Sequence, residues 1–344
     1  MAEVALYRKY RPKGFKDVLG QEHIVETLEG AIGNGAIAHA YLFSGSRGTG
    51  KTSIARILAH EIGCSDKDLY EIDAASNRGI DDIRELRDAV STLPFESPYK
   101  VYIIDEVHML TKEAFNALLK TLEEPPPHVV FILATTELDK LPETVVSRCQ
   151  TFTFRKPNEQ VLAKMVTKVA KKEDVELEPA AAELIALLAE GSFRDAHGIL
   201  QKVLVAAKDK KVSRDDVERI TGAPKGVLVN DILAAIEERH LAKALEAVSK
   251  VIADNVEAKT LLKLIIQKVR TVLLLRYAKD LEKELAEQFA KEDFDFLKDL
   301  STKKNINSKV LDELLKAYES TGRSYIPQLP LELALVDLLK EDSV

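Results

Sequence analysis

The chain has 344 residues, 46% of them hydrophobic and 31% charged, with a formal net charge of −7. Such a composition is that of a soluble globular protein of two or three domains, and it excludes both a disordered chain and a polycation that grips nucleic acid with its whole surface. No apolar run approaches the roughly 20 residues of a membrane span, and the first residues lack the apolar core of a signal peptide. Cys64 and Cys149 stand too far apart for metal or redox spacing, so reduced thiols in a cytoplasmic chain are expected.

In chain order, short apolar runs alternate with amphipathic stretches, the βα pattern of a mostly parallel sheet. Strands are predicted at Ala40–Ser44, Leu69–Ile72, Val101–Ile104, Val129–Ala134 and Thr151–Phe154. Helices are predicted at Lys51–Ile62, Asp81–Val90 and Lys112–Leu122, the last stopped by Pro125-Pro126-Pro127. After Lys156-Pro157 the pattern changes to helices alone as far as Gly222, without strand-like alternation. Beyond Pro224 it stays helical and rich in Leu, Ala, Glu and Lys. The reading is an α/β unit over 1–156, a small helical unit over 157–223 and a terminal helical bundle over 224–344.

Gly45-Ser46-Arg47-Gly48-Thr49-Gly50-Lys51-Thr52 fits G-x-x-x-x-G-K-[ST] at every fixed position, with Ser53 continuing into the helix. Glycines let the backbone N–H groups turn inward on phosphates, and the following helix aims its positive end at them. The pattern assigns Lys51 to the β- and γ-phosphates of ATP and the Thr52 hydroxyl to Mg²⁺. A chance glycine turn is the bland alternative, and the strand before and helix after the loop speak against it.

The apolar strand Val101–Ile104 ends in Asp105-Glu106. In an open α/β sheet that places two carboxylates beside the phosphate loop. Asp105 is then a second Mg²⁺ ligand, and Glu106 the group that orients the attacking water. His108 reads as structural. Thr135-Thr136 ends the next strand, where a hydroxyl can sense the γ-phosphate or merely serve a turn. Arg148, in Ser147-Arg148-Cys149, and Arg194, in Gly191-Ser192-Phe193-Arg194-Asp195-Ala196, read as surface arginines by spacing alone. Arg78 and Arg84 stand where a helix opens, suited to DNA phosphate or, equally, to pairing with Asp81, Asp82 and Glu85.

These motifs fall in a recognisable order: Tyr7-Arg8-Lys9-Tyr10-Arg11-Pro12, Asp17-Val18-Leu19-Gly20-Gln21, the phosphate loop, Glu71-Ile72-Asp73-Ala74-Ala75-Ser76, Asp105-Glu106-Val107-His108, Ser147-Arg148-Cys149 and Gly191–Ala196. The chain thereby resembles AAA+ clamp-loader subunits, most nearly the gamma/tau family of bacterial DNA polymerase III. The resemblance implies that Arg8, Arg11 and Val18, with their segments, line the adenine side of ATP. Thr136 is then the sensor-1 residue and Arg194 the sensor-2 arginine of a helical lid, while Arg148 acts in trans on ATP held by a neighbouring subunit. The terminal helices become a collar that assembles with delta and delta-prime subunits and with further copies of this chain. The implied activity is ATP-driven opening of the sliding clamp and its loading onto primed DNA. It also puts the last residues near the end of the collar, without the tail by which the longer tau form binds helicase and polymerase.

One departure concerns zinc. Members of the family usually carry a four-cysteine module after the loop helix, but here Cys64 stands alone and Ser65-Asp66-Lys67-Asp68 runs into the next strand, so no zinc is expected. Two other functions share parts of the pattern. A repair or branch-migration helicase subunit has the same loop and acidic pair but more typically ends in a winged helix. A nucleotide-inert scaffold subunit is disfavoured by intact Lys51, Thr52, Asp105 and Glu106.

Overall fold

The computed structural model describes residues 4–77, 79, 86, 89–207, 210–286, 288–289 and 291–340. The chain divides into two compact units, Met1–Leu162 with Ala189–Gly198, and Ala163–Leu188 with Ile199–Val344.

The first unit is built on five parallel strands: β1 (Ala40–Ser44), β2 (Leu69–Asp73), β3 (Lys100–Asp105), β4 (Val129–Thr135) and β5 (Gln150–Thr153). Their order is β2-β3-β4-β1-β5, with Ser44 beside Thr135 and Asp73 beside Asp105 at the carboxyl edge. Strands β1, β3 and β4 are apolar on both faces because helices cover both. Tyr41, Phe43, Val101 and Ile103 enter one core with Leu28, Ile54 and Leu58; Leu42, Tyr102, Ile104 and Phe131 enter the other with Phe115 and Leu118. Each such side chain contributes about 1.5–3 kcal/mol when fully buried, and a one-residue slip would exchange the two sets. The register is fixed, and with it the position of every residue at the strand ends.

The helices begin and end for local reasons. The phosphate-loop helix α1 (Lys51–Glu61) is preceded by Gly50 in the left-handed region, φ 105°. Helix α2 (Lys112–Glu123) opens on Thr111, whose side chain accepts from Ala114 N, and stops before the three prolines. The helix expected at Asp81–Val90 lies largely outside the described residues.

The second unit is mainly helical. In it α3 (Pro179–Leu188) packs on α4 (Arg214–Thr221), which opens with a reciprocal Ser213–Asp216 capping box. The later helices include α5 (Gly226–Glu237), α6 (Ala258–Tyr277), α7 (Lys291–Thr302) and α8 (Ser308–Thr321), with α6 packed against α5, α7 and α8. The expectation of helices alone between Glu159 and Gly222 is corrected here: Glu176–Leu177 and Lys211–Val212 pair as a small parallel sheet. Strands of two residues are too short to leave an alternation in the sequence.

Candidate nucleotide site

The loop after β1 is shaped by its glycines and by close neighbours. A Cβ on Gly48 (φ 75°) would lie 2.0 Å from Ser192 Oγ, and one on Gly45 would lie 2.6 Å from the Phe154 carbonyl oxygen. Gly50 has open space around it, so its requirement is conformational rather than steric. Phe193 N donates to Gly48 O at 2.9 Å, and Gly45 N to Thr135 O at 3.2 Å. Thr49 Oγ1 donates to Ser46 O at 2.9 Å, closing the loop on itself. Buried Gln21 ties the loop to the chain after β5: its Nε2 donates to Arg155 O at 2.7 Å and to Thr49 O at 3.4 Å, while its Oε1 accepts from Arg155 N.

Beneath the loop, the buried Lys51 Nζ donates to the carbonyls of Gly45 (2.7 Å) and Ser46 (3.0 Å). Burial lowers the Lys51 ammonium below its ordinary value; Glu106 and Asp105 oppose that shift and Arg194 adds to it. The Thr52 hydroxyl donates to Asp105 Oδ2 at 2.8 Å, so α1 and the end of β3 meet through one hydrogen bond. Glu106 follows with left-handed backbone, φ 49°, ψ 43°. Thr136 Oγ1 donates to its Oε2 at 3.0 Å. His108 Nδ1 lies 3.5 Å from that same oxygen and 3.0 Å from Thr135 Oγ1, with Nε2 3.2 Å from Glu137 Oε1.

Beside the loop is a cleft of about 710 Å³ lined by Tyr7, Arg8, Arg11, Arg47, Arg56 and Arg194. The Arg8 and Arg194 guanidinium groups stand 5.7 and 5.6 Å from the centre of the Tyr7 ring. Arg56 pairs with Glu71 in the middle of β2. Burial lowers the Arg11 guanidinium below its ordinary value, and neighbouring Arg56, Arg194 and Arg8 add to this against Glu71. So many cations around one cleft suit a polyanion.

Oxygen donors on Thr52 and Asp105, a loop with glycines at positive φ and a helix start fit a phosphate chain with Mg²⁺, which takes one or two protein oxygens and completes its shell with phosphate and water. No group of three or more His, Cys, Asp or Glu able to hold a metal occurs among the described residues. Cys64 is buried in the core cluster that includes Ile62, and burial pushes its thiol up to about 11.

Lys51, Thr52, Asp105, Glu106 and Thr136 come together, and Arg8, Arg11, Arg47 and Arg194 share the adjoining cleft. Val18 instead packs against the apolar core, and Ser53 lies half-buried in the first turn of α1. Arg148 stands apart, donating to Thr144 O and pairing with Glu123 Oε1 at 2.7 Å. Arg78 and Arg84 lie outside the described residues. Sequence reasoning missed Arg56, Glu71 and the clamp made by Gln21. Arg56 is four residues after Thr52, hence one turn along the same helix, and that spacing was the available signal.

A family profile described as "DNA polymerase III, delta subunit" matches residues 20–78 and 65–158. The DNA polymerase III subunit tau of Bacillus subtilis is 38% identical over 359 aligned positions, covering 98% of this chain and 63% of that protein. Its namesake in Escherichia coli is 39% identical, covering 76% of this chain and 44% of that protein. The chain is similar to DNA polymerase III tau and gamma/tau subunits at 36–44% identity over most of its length. It spans less than two thirds of the length of these tau relatives. Among solved structures, the RuvB Holliday junction branch migration motor of Thermotoga maritima is similar at 26% identity and a TM-score of 0.53, covering 66% of this chain and 79% of that one. The gamma/tau relatives and this neighbour agree with an AAA+ ATPase fold. No helix among the described residues of this gamma/tau-like chain is long and apolar enough to cross a membrane.

Proposed function

We propose that this chain is the ATP-hydrolysing subunit of a replicative clamp loader, using ATP to open the ring-shaped sliding clamp and place it on primed DNA. The observation that carries the proposal is the meeting of Lys51, Thr52, Asp105, Glu106 and Thr136 at the carboxyl edge of the sheet. Lys51 would exchange its loop carbonyls for the β- and γ-phosphates. Thr52 and Asp105 would hold Mg²⁺, whose role when bound is to neutralise phosphate charge. Glu106 would polarise the attacking water, and Thr136 would report on the γ-phosphate. The cleft arginines and Tyr7 would bind the rest of the nucleotide, with Arg194 supplied by the lid at 157–223. Arg148 would act on the ATP of a neighbouring subunit, and residues 224–344 would assemble as a collar with delta and delta-prime subunits and further copies of this chain.

A second reading, a branch-migration motor, is favoured by the likeness to RuvB. The helical elements from Gly226 to Leu339 and the coverage of tau relatives support the first. Nucleotide titration with turnover separates the assigned roles. Lys51→Ala should weaken ATP binding and abolish hydrolysis, whereas Glu106→Gln should retain binding and lose hydrolysis. Equal loss of binding in both variants would remove the role given to Glu106.

A further inference from the structure

The Glu106 carboxylate has two neighbours of different kinds on one oxygen. Thr136 donates its hydroxyl to Oε2 at 3.0 Å, and His108 Nδ1 lies 3.5 Å from the same atom. A hydroxyl carries one proton and makes one donation at a time. If Thr136 turns that proton to a phosphate oxygen, it releases Glu106, and the imidazole is the neighbour that remains.

His108 is built to stay in place. Its side chain is 6% exposed, against 30% for Glu106. Nδ1 also touches Thr135 Oγ1 at 3.0 Å, and that hydroxyl is itself held by accepting from Glu137 N at 3.0 Å. On its far side Nε2 lies 3.2 Å from Glu137 Oε1, whose carboxylate is in turn paired with Lys140. Nδ1 thus lies between the Thr135 hydroxyl and the Glu106 carboxylate, while Nε2 faces the Glu137 carboxylate. The backbone adds to the aim, because Glu106 sits in the left-handed region, a strained conformation that a non-glycine residue keeps only where its surroundings over-determine it.

We propose that His108 is a positioning residue that holds the Glu106 carboxylate in line for the attacking water once Thr136 turns its hydroxyl to phosphate. The proposal rests on the role given to Glu106 above. Its consequence is a division of labour: Thr136 couples Glu106 to the nucleotide, and His108 keeps the carboxylate aligned through the change.

The test compares ATP turnover, ATP affinity and thermal unfolding for the full chain and four variants: His108→Ala, His108→Asn, His108→Gln and Glu106→Gln. His108→Ala should lower turnover about tenfold or more, the scale of a misaligned reacting group, with ATP affinity within about twofold of the parent. The conservative pair tells positioning from packing. An asparagine amide takes the place of Nδ1, which faces Glu106; a glutamine amide takes the place of Nε2, which faces Glu137. Asn should therefore retain more turnover than Gln, and this ranking decides the matter if the alanine variant proves too unstable to assay. Turnover of His108→Ala within about twofold of the parent, or Gln equal to or better than Asn, would overturn the proposal. Parent-like turnover in Glu106→Gln would overturn it differently, by removing the role of Glu106 itself.

Discussion

The Thr52 hydroxyl and the Asp105 carboxylate meet at 2.8 Å, joining the first turn of the phosphate-loop helix to the end of strand β3. Both are hard oxygen donors, and in the proposed function they share one Mg²⁺. Thr52→Ala and Asp105→Asn should each lower turnover by about tenfold or more and raise the Mg²⁺ concentration needed for half-maximal rate. A Mg²⁺ titration of ATPase activity checks this; an unchanged Mg²⁺ requirement in both variants would separate the pair from the metal.

Gly48 and Gly50 have different reasons for being glycine. A side chain on Gly48 meets Ser192 at 2.0 Å and also demands φ 75°, whereas Gly50 demands φ 105° in open space. Gly48→Ala should therefore cost more stability than Gly50→Ala, the latter reflecting backbone strain of about 1–2 kcal/mol. Chemical denaturation of both variants gives the ranking, and equal losses would mean that the Ser192 contact yields freely.

A third expectation concerns the helical unit. Lys268 on α6, 1% exposed, donates to Asn230 Oδ1 at 2.7 Å and pairs with Asp293 Oδ1 at 3.1 Å. Burial lowers the lysine to about 8; the Asp293 carboxyl is pushed up by burial but held lower overall by Lys268, Asn230 and Arg214. Asp293→Ala strands a buried ammonium and should cost about 3–5 kcal/mol, much of which Lys268→Met should restore in the double variant. An amine with a lowered folded value is bound by fewer protons folded than unfolded, so its contribution makes stability rise with pH from about 8 toward the ordinary lysine value of 10.5. That slope should vanish in Lys268→Met. Denaturant unfolding at several pH values measures both effects.

How much of this was legible in the sequence depended on distance along the chain. Strands β1, β3 and β4 were readable because burial on both faces leaves unbroken apolar runs. The loop and acidic pair were readable because each is contiguous, and the sheet supplies their meeting. The cleft was not readable from spacing, because Arg8, Arg11, Arg47, Arg56 and Arg194 come from four separate segments; the resemblance assigned Arg8, Arg11 and Arg194 to the nucleotide, and Arg56 was missed. His108 was read as structural because its partners, Thr135 and Glu137, lie on another strand end.

Arg148 tests whether the site is shared between subunits. In this chain it pairs with Glu123, a partly exposed contact of the kind worth about 0–1 kcal/mol, so leaving it for a neighbour's phosphate would be easy. Arg148→Ala should keep ATP affinity and fold. Mixing it with Lys51→Ala subunits should restore part of the activity, because some interfaces then combine an intact site with an intact arginine. No recovery in confirmed mixed assemblies would confine Arg148 to its own chain.

The most direct measurement is steady-state ATP hydrolysis by the chain assembled with delta and delta-prime subunits, alone, with primed DNA, and with primed DNA plus sliding clamp. The account requires the highest rate with clamp and DNA together, and its collapse by about 10³ in an assembly carrying Arg148→Ala. Stimulation by DNA alone, with the clamp adding nothing, would contradict the clamp-loading account and favour a branch-migration motor.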